Sequence, residues 1–263
     1  MLTQEIIKEL GEAYAHAYET HEQIDPPSVK YPEITYEDAY AIQRVFVSRL
    51  KEKGMKISGK KVGLTSNAMR KIANIYEPDY GFIFSELCYN NESEIPIEKY
   101  IAPRIECEIA FKLCEDLDKP DITNEDIIKA TKYVVCCMEI CDFRMYRDKF
   151  QRKIQDSIAD DAAFGGYILG DNPVRLDEYD LSTIPYSFEV NNKQVEVSCG
   201  AAVYNDPVSS MAWLANTFYK IGEPLRKGEL VLSGSAVASV EVKKGDHLTC
   251  KYGPLGEVSC TFI

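Results

Sequence analysis

The stretch Arg104-Ile-Glu-Cys-Glu-Ile-Ala-Phe111 sets two carboxylates one residue apart in an otherwise apolar run. Read as a β-strand it alternates, so Ile105, Cys107, Ile109 and Phe111 point one way while Glu106 and Glu108 point the other. Two residues along a strand, their Cβ atoms stand ~7 Å apart, close enough for two long carboxylates to converge on one hard cation. A third carboxylate, Glu139, interrupts Tyr133-Val-Val-Cys-Cys-Met-Glu-Ile-Cys141, which reads as an interior strand. A glutamate buried in such a strand is costly unless it is paired or coordinates a metal. Three oxygen donors with no His or thiolate pattern suit Mg²⁺ or Mn²⁺, which keep water or substrate oxygens in their remaining positions. The same residues also fit an exposed Glu pair beside Lys112 and a Glu–Lys or Glu–Arg pair in the core. Taken alone, they leave both readings open.

The elements that must position these groups are helical first and mostly strand afterwards. Ile6, Ile7, Leu10, Ala13, Tyr14, Ala17 and Tyr18 recur at helical spacing. Thr35-Tyr-Glu-Asp38 reads as a capping box opening a second helix through Ile42, Val45, Phe46 and Leu50. Between the two, Asp25-Pro-Pro-Ser and Tyr31-Pro predict a rigid, extended connector. This helical arm is expected to pack on the core or on a neighbouring subunit. Thr123-Asn-Glu-Asp126 caps a further helix, and Asp206-Pro207 supplies an N-cap and an N1 proline before 209–219. Asn191-Asn192 marks a hairpin turn, and Lys244-Gly-Asp246 and Gly253-Pro-Leu-Gly256 punctuate the last strands.

Composition excludes several classes. A chain of 263 residues with 45% hydrophobic content can bury a full core. No apolar run is long enough to span a bilayer, and Met-Leu-Thr-Gln-Glu-Ile-Ile-Lys lacks a signal-peptide pattern, so a cytoplasmic protein without membrane contact is expected. The nine cysteines are an odd number without CxxC spacing, which predicts reduced core residues. A net charge of −12 argues against a nucleic-acid partner, whose binding needs clustered Lys and Arg. There is no GxSxG elbow, GxGxxG or P-loop. The three histidines, His16, His21 and His247, lie in or near the first helix and in an expected surface turn, which disfavours a zinc site or a Ser-His-Asp hydrolase.

A set of ordered motifs narrows the reading. Gly59-Lys-Lys61-Val-Gly63-Leu-Thr65-Ser66, Pro78-Asp79-Tyr-Gly81, Pro103-Arg-Ile-Glu106-Cys-Glu108, Met138-Glu139-Ile, Gly200-Ala-Ala and Gly228-Glu-Leu-Val-Leu-Ser-Gly234-Ser235 follow one another. Together they resemble the 2-keto-4-pentenoate hydratase / 2-oxo-3-hexenedioate decarboxylase branch of the fumarylacetoacetate hydrolase superfamily. The resemblance runs from about Glu37-Asp-Ala-Tyr40-Ala-Ile-Gln43 to the C-terminus. It implies an α+β fold, a mixed β-roll or distorted barrel with flanking helices. Residues 1–56 would be a helical N-terminal segment and 57–263 the catalytic core, assembled as a homo-oligomer.

The resemblance also implies the chemistry. Glu106, Glu108 and Glu139 would hold Mg²⁺ or Mn²⁺ against the 1-carboxylate and 2-oxygen of 2-hydroxypenta-2,4-dienoate, as in aromatic meta-cleavage catabolism. Protonation at C5 and addition of water at C4 would then give 4-hydroxy-2-oxopentanoate. Lys61, otherwise an ordinary strand lysine, becomes a proton donor or enolate stabiliser, its pKa lowered by burial or by the cation. Asp79, otherwise a turn residue, becomes a site carboxylate able to activate water. Thr65 and Ser66 would cap a helix over 67–73 and offer amides to a substrate carboxylate, and Ser235 would face the substrate.

Two departures bear on the substrate. Ala159-Asp-Asp161-Ala-Ala163 stands where related enzymes tend to have Ala-Asp-Asn-x-Ser, so Asp161 would alter the pocket. The basic segment Arg144-Met-Tyr-Arg147-Asp-Lys149-Phe-Gln-Arg152-Lys153 lacks a tryptophan expected of hydratases. It reads as a solvated helix face, or as a lid whose arginines, Arg147 among them, meet a second substrate carboxylate. The alternatives are a 2-oxo-3-hexenedioate (4-oxalocrotonate) decarboxylase, an acylpyruvate C–C hydrolase, and a non-catalytic 2-oxoacid-binding protein.

Overall fold

The computed structural model describes residues 1–67, 70, 71, 75 and 77–263. The α-helices with defined bounds among the described residues are α1 (Gln4–Thr20), α2 (Pro27–Lys30), α3 (Tyr36–Glu52), α4 (Asn124–Ala130), α5 (Ile154–Ala159) and α6 (Pro207–Lys220). The expected helix over 67–73 includes residues 68, 69, 72 and 73, which lie outside the described residues.

Capping signals mark the helix starts. Thr35 with Asp38 and Thr123 with Asp126 form reciprocal capping boxes on α3 and α4. Asp206 accepts from the Val208 amide ahead of Pro207 on α6. The proline-rich connector differs from its expectation: Pro27 sits at the first position of the one-turn helix α2, where a missing N–H costs nothing.

Eight strands form the larger sheet: β1 (Ile57–Gly63), β2 (Asp79–Phe84), β3 (Cys88–Asn90), β5 (Arg104–Leu113), β6 (Thr131–Cys141), β7 (Phe164–Leu169), β10 (Leu230–Leu232) and β11 (Val240–Glu241). Their order is β2-β1-β10-β5-β6-β7-β3, with β11 on β5. The second sheet runs β4-β13-β12-β8-β9, made of β4 (Ser93–Ile95), β8 (Pro185–Val190), β9 (Lys193–Cys199), β12 (His247–Lys251) and β13 (Glu257–Phe262). The β8–β9 turn is Asn191-Asn192, both at positive φ as a tight hairpin requires.

The core lies where these sheets meet. Ile105, Cys107, Ile109 and Phe111 on one face of β5 are fully buried, and so are Leu248 and Cys250 of β12. Cys107 and Cys250, 143 residues apart, are joined by a disulfide with Cα atoms 6.2 Å apart, which corrects the expectation that all nine cysteines are reduced. Tyr252 fixes the same junction: its hydroxyl donates to Cys137 O and accepts from the Glu108 amide.

The helices brace the site from behind. α1 and α3 pack together, with Tyr14 and Phe46 centroids 6.1 Å apart. Gln43, fully buried on α3, donates to Tyr80 O at 2.8 Å and so anchors β2. Tyr80 stacks on Tyr40 and meets Phe218 of α6 edge-on, at 4.3 and 4.7 Å. The basic segment is irregular, so the expected helix face is corrected. Arg144 is 1% exposed, paired with Asp160 and stacked over Phe46 at 5.1 Å. No helix among the described residues is long and apolar enough to cross a membrane.

Candidate metal and substrate site

Strand register assembles the carboxylates. Glu106 on β5 stands opposite Glu139 on β6, so both side chains leave the same face of the sheet, with Glu108 two residues further along. Glu108 and Glu139 are fully buried. β1 lies one strand beyond β10 from β5, and from it Lys61 reaches across, its Nζ 2.8 Å from Glu139 Oε1. Asp79 opens β2 opposite Gly63, and a Cβ at Gly63 would collide with the Asp79 carboxylate. That close approach explains the glycine.

The electrostatics follow from burial. It pushes the Asp79 carboxyl up to about 6 and Glu106 up to about 7, in each case aided by Glu139 and opposed by Lys61. Burial, then Glu139 and Glu106, hold Glu108 well above the usual carboxylate range. The expected depression of Lys61 is not found. Burial works against its charge, but Glu139, Cys141, Asp79 and Glu106 outweigh it and raise the ammonium well above its ordinary value.

Glu108 Oε1, Glu139 Oε2 and Asp79 Oδ1 are buried with no hydrogen-bond partner among the described residues. Buried carboxylate oxygens left without partners are costly, and a hard divalent cation is a group whose chemistry matches such donors. Glu108 uses its other oxygen to accept from the Gly234 amide at 2.8 Å. Gly234 itself sits at φ +101°, tight against Thr65, where a Cβ would clash.

A cleft of about 540 Å³ opens over this cluster. Lys61, Thr65, Ser66, Asp79, Glu106, Arg147 and Ser235 are brought together on its walls. The Thr65 hydroxyl donates to Ser235 O at 3.3 Å, and the Ser235 hydroxyl donates to Val237 O at 2.8 Å. Glu108, Glu139 and Asp161 are not among the lining residues. Asp161 is 1% exposed and accepts from the Phe82 amide at 2.9 Å; burial pushes its carboxyl up to about 8. Asp161, expected to alter the pocket, does not itself line the cleft: its carboxyl holds a turn. That turn places Asp161, Ala162 and Ala163 at φ 51°, 49° and 61°, a strained left-handed run whose two alanines line the cleft.

Sequence reasoning missed Arg104 and Cys141 as lining residues, whereas Arg147 and Arg152 belong to the basic segment it offered as a lid. Arg104 and Arg152 join Arg147 in the wall, and none of the three has a carboxylate within ion-pair distance among the described residues. Arg147 and Arg152 lie over the Phe143 ring at 4.6 and 5.3 Å. Cys141 lines the same cleft. The strand period held its signal, because Arg104 and Cys141 share the faces of Glu106 and Glu139.

An α+β protein with a cation-ready carboxylate cluster beneath a cleft is the class that fold and site define. No family model matches the chain. Curated relatives do. It is 39% identical to the 2-oxo-hept-4-ene-1,7-dioate hydratase of Escherichia coli, over 94% of each chain. It is 33% identical to the 2-keto-4-pentenoate hydratase of Paraburkholderia xenovorans (strain LB400), over 99% of this chain and 96% of that one. Among solved structures, the 4-oxalocrotonate decarboxylase of Pseudomonas putida G7, complexed with magnesium and adipate, superposes with a TM-score of 0.94. That pair is 34% identical over 100% of this chain and 99% of the other. The chain belongs to the family of 2-keto-4-pentenoate hydratases and 4-oxalocrotonate decarboxylases.

Proposed function

We propose that this protein is a divalent-metal-dependent hydratase that adds water to 2-hydroxypenta-2,4-dienoate, giving 4-hydroxy-2-oxopentanoate. The observation that carries the reading is the cluster of orphaned Glu108 and Glu139 oxygens beside Glu106 and Lys61, under a cleft. Hydratases among the relatives support it.

Mg²⁺ or Mn²⁺ held by Glu106, Glu108 and Glu139 would supply Lewis-acid stabilisation of the substrate's carboxylate and 2-oxygen. Thr65, Ser66 and Ser235, on the cleft wall, orient the substrate. Lys61 delivers a proton to C5 while the 2-hydroxyl proton is released to solvent, producing the 2-oxo-3-enoate. Asp79, with its carboxyl near 6, is ionised at neutral pH and basic enough to draw a proton from water as its oxygen bonds C4. C3 then takes up a proton, so one water is added overall. Asp161 positions the turn that shapes the cleft.

A second reading, hydration of a related dienoate that carries a second carboxylate at its far end, is favoured by Arg104, Arg147 and Arg152 in the cleft wall. The same reading includes a cytoplasmic homo-oligomer, with 1–56 as a helical segment on a 57–263 core. Metal-stripped protein given the dienoate and followed by its ultraviolet absorbance tests the proposal. Consumption that appears only when Mg²⁺ or Mn²⁺ is restored is expected, and equal rates without metal would overturn it.

A further inference from the structure

Cys141 is the site residue that the proposed reaction does not use. It follows Glu139 by two positions on β6, so its side chain leaves the same face, and its Cα partner on β5 is Arg104. Cys141 Sγ lies 3.8 Å from Glu139 Oε1. Donor atoms of Glu106, Glu139 and Cys141 all fall within 4.8 Å of one another. Donors around a four-coordinate zinc-sized ion stand roughly 3.5 Å apart, so a small closure of rotamers would bring these three to ligating distance and leave the fourth position open. Glu139 Oε2 is wholly buried and has no hydrogen-bond partner among the described residues. Cys141 lines the cleft, whereas Glu108 does not and is engaged with Gly234.

We propose that the centre contains two overlapping donor sets: Glu106, Glu108 and Glu139 for a hard cation, and Glu106, Glu139 and Cys141 for a thiophilic divalent cation such as Zn²⁺, Cd²⁺ or Co²⁺. This rests on the reading above, in which Glu106 and Glu139 hold the metal. Mg²⁺ takes oxygen donors, while thiolate selects softer ions. On binding, the Cys141 S–H bond breaks, its proton goes to solvent and the sulfur lone pair enters the metal–sulfur bond. The two sets share two carboxylates, so a thiophilic ion and Mg²⁺ exclude each other.

The test titrates metal-free, full-length protein with Co²⁺, in a background where the exposed Cys88 and Cys199 are replaced by serine. A near-ultraviolet sulfur-to-cobalt charge-transfer band that saturates at one equivalent is expected, bleached by Cd²⁺ and absent in Cys141→Ser and Cys141→Ala. In those variants the Cd²⁺ to Mg²⁺ affinity ratio, measured by calorimetry, should fall by at least about tenfold. Co²⁺ binding without the band, or a band that survives Cys141→Ser, overturns the inference and leaves the hard-cation reading intact. Failure of both Co²⁺ and Mg²⁺ to bind overturns both.

Discussion

Lys61 Nζ and Glu139 Oε1 form an ion pair of 2.8 Å in which both side chains are almost wholly enclosed. Removing one partner of such a pair strands the other charge in a poorly solvating interior. The pair therefore couples the stability of the metal-free protein to the groups proposed for its chemistry.

Lys61→Met tests that coupling. In metal-free protein the variant should lose roughly 3–5 kcal/mol, because the carboxylate cluster loses its counter-ion. Added Mg²⁺ replaces that positive charge, so the Mg²⁺-induced rise in melting temperature should be larger in the variant than in the parent. Turnover should fall by about 10²–10⁴-fold. Thermal melts with and without Mg²⁺, alongside rates, check it; full activity with a normal melting curve would remove Lys61 from the mechanism.

Glu139→Gln removes a charged donor from the proposed metal site. Calorimetry should show Mg²⁺ and Mn²⁺ affinity reduced by at least about tenfold. Unchanged affinity would assign Glu139 to the core pair with Lys61 alone.

Asp161 gives a pH prediction. Its folded-state carboxyl titrates near 8, above the unfolded value of about 3.9. The folded state keeps a proton that the unfolded chain has lost, so the contribution to stability is fully present below pH 4 and is lost as pH rises through 8. Asp161→Asn keeps an oxygen for the Phe82 amide but cannot ionise. Denaturant melts from pH 5 to 8 should show the variant gaining on the parent by up to about 1.4 kcal/mol per pH unit. A constant difference across that range would contradict the assignment.

Arg147→Ala probes the far wall of the cleft. Its Nε is buried without a hydrogen-bond partner among the described residues, and Arg104 and Arg152 share the wall. If this wall receives a second carboxylate, the variant's kcat/KM should fall about tenfold or more for a diacid dienoate and change little for the pentadienoate. Equal losses on both substrates would place Arg147 outside substrate selection.

How much of this was legible in the sequence depended on whether the signal was local. Strand alternation put Glu106 and Glu108 on one face, and the apolar setting of Glu139 marked it as a buried charge needing a partner. Capping boxes and the Asn191-Asn192 turn are equally local and were readable from a few residues. The Cys107–Cys250 bond joins strands 143 residues apart, and no spacing rule reports such a meeting. Arg144 looked like part of a solvated basic face because its partners, Asp160 and Phe46, come from elsewhere in the chain. Asp161 was read as a pocket residue, yet its carboxyl turns to the Phe82 amide, a choice made by tertiary packing.

Product identity tests the central claim most directly. Metal-stripped protein would be incubated with freshly generated 2-hydroxypenta-2,4-dienoate and with 2-oxo-3-hexenedioate, with and without Mg²⁺ or Mn²⁺, and the products identified by NMR. The account predicts 4-hydroxy-2-oxopentanoate from the dienoate, formed only when metal is present. Loss of CO₂ from the diacid with no hydration of the dienoate would contradict it and assign a decarboxylase.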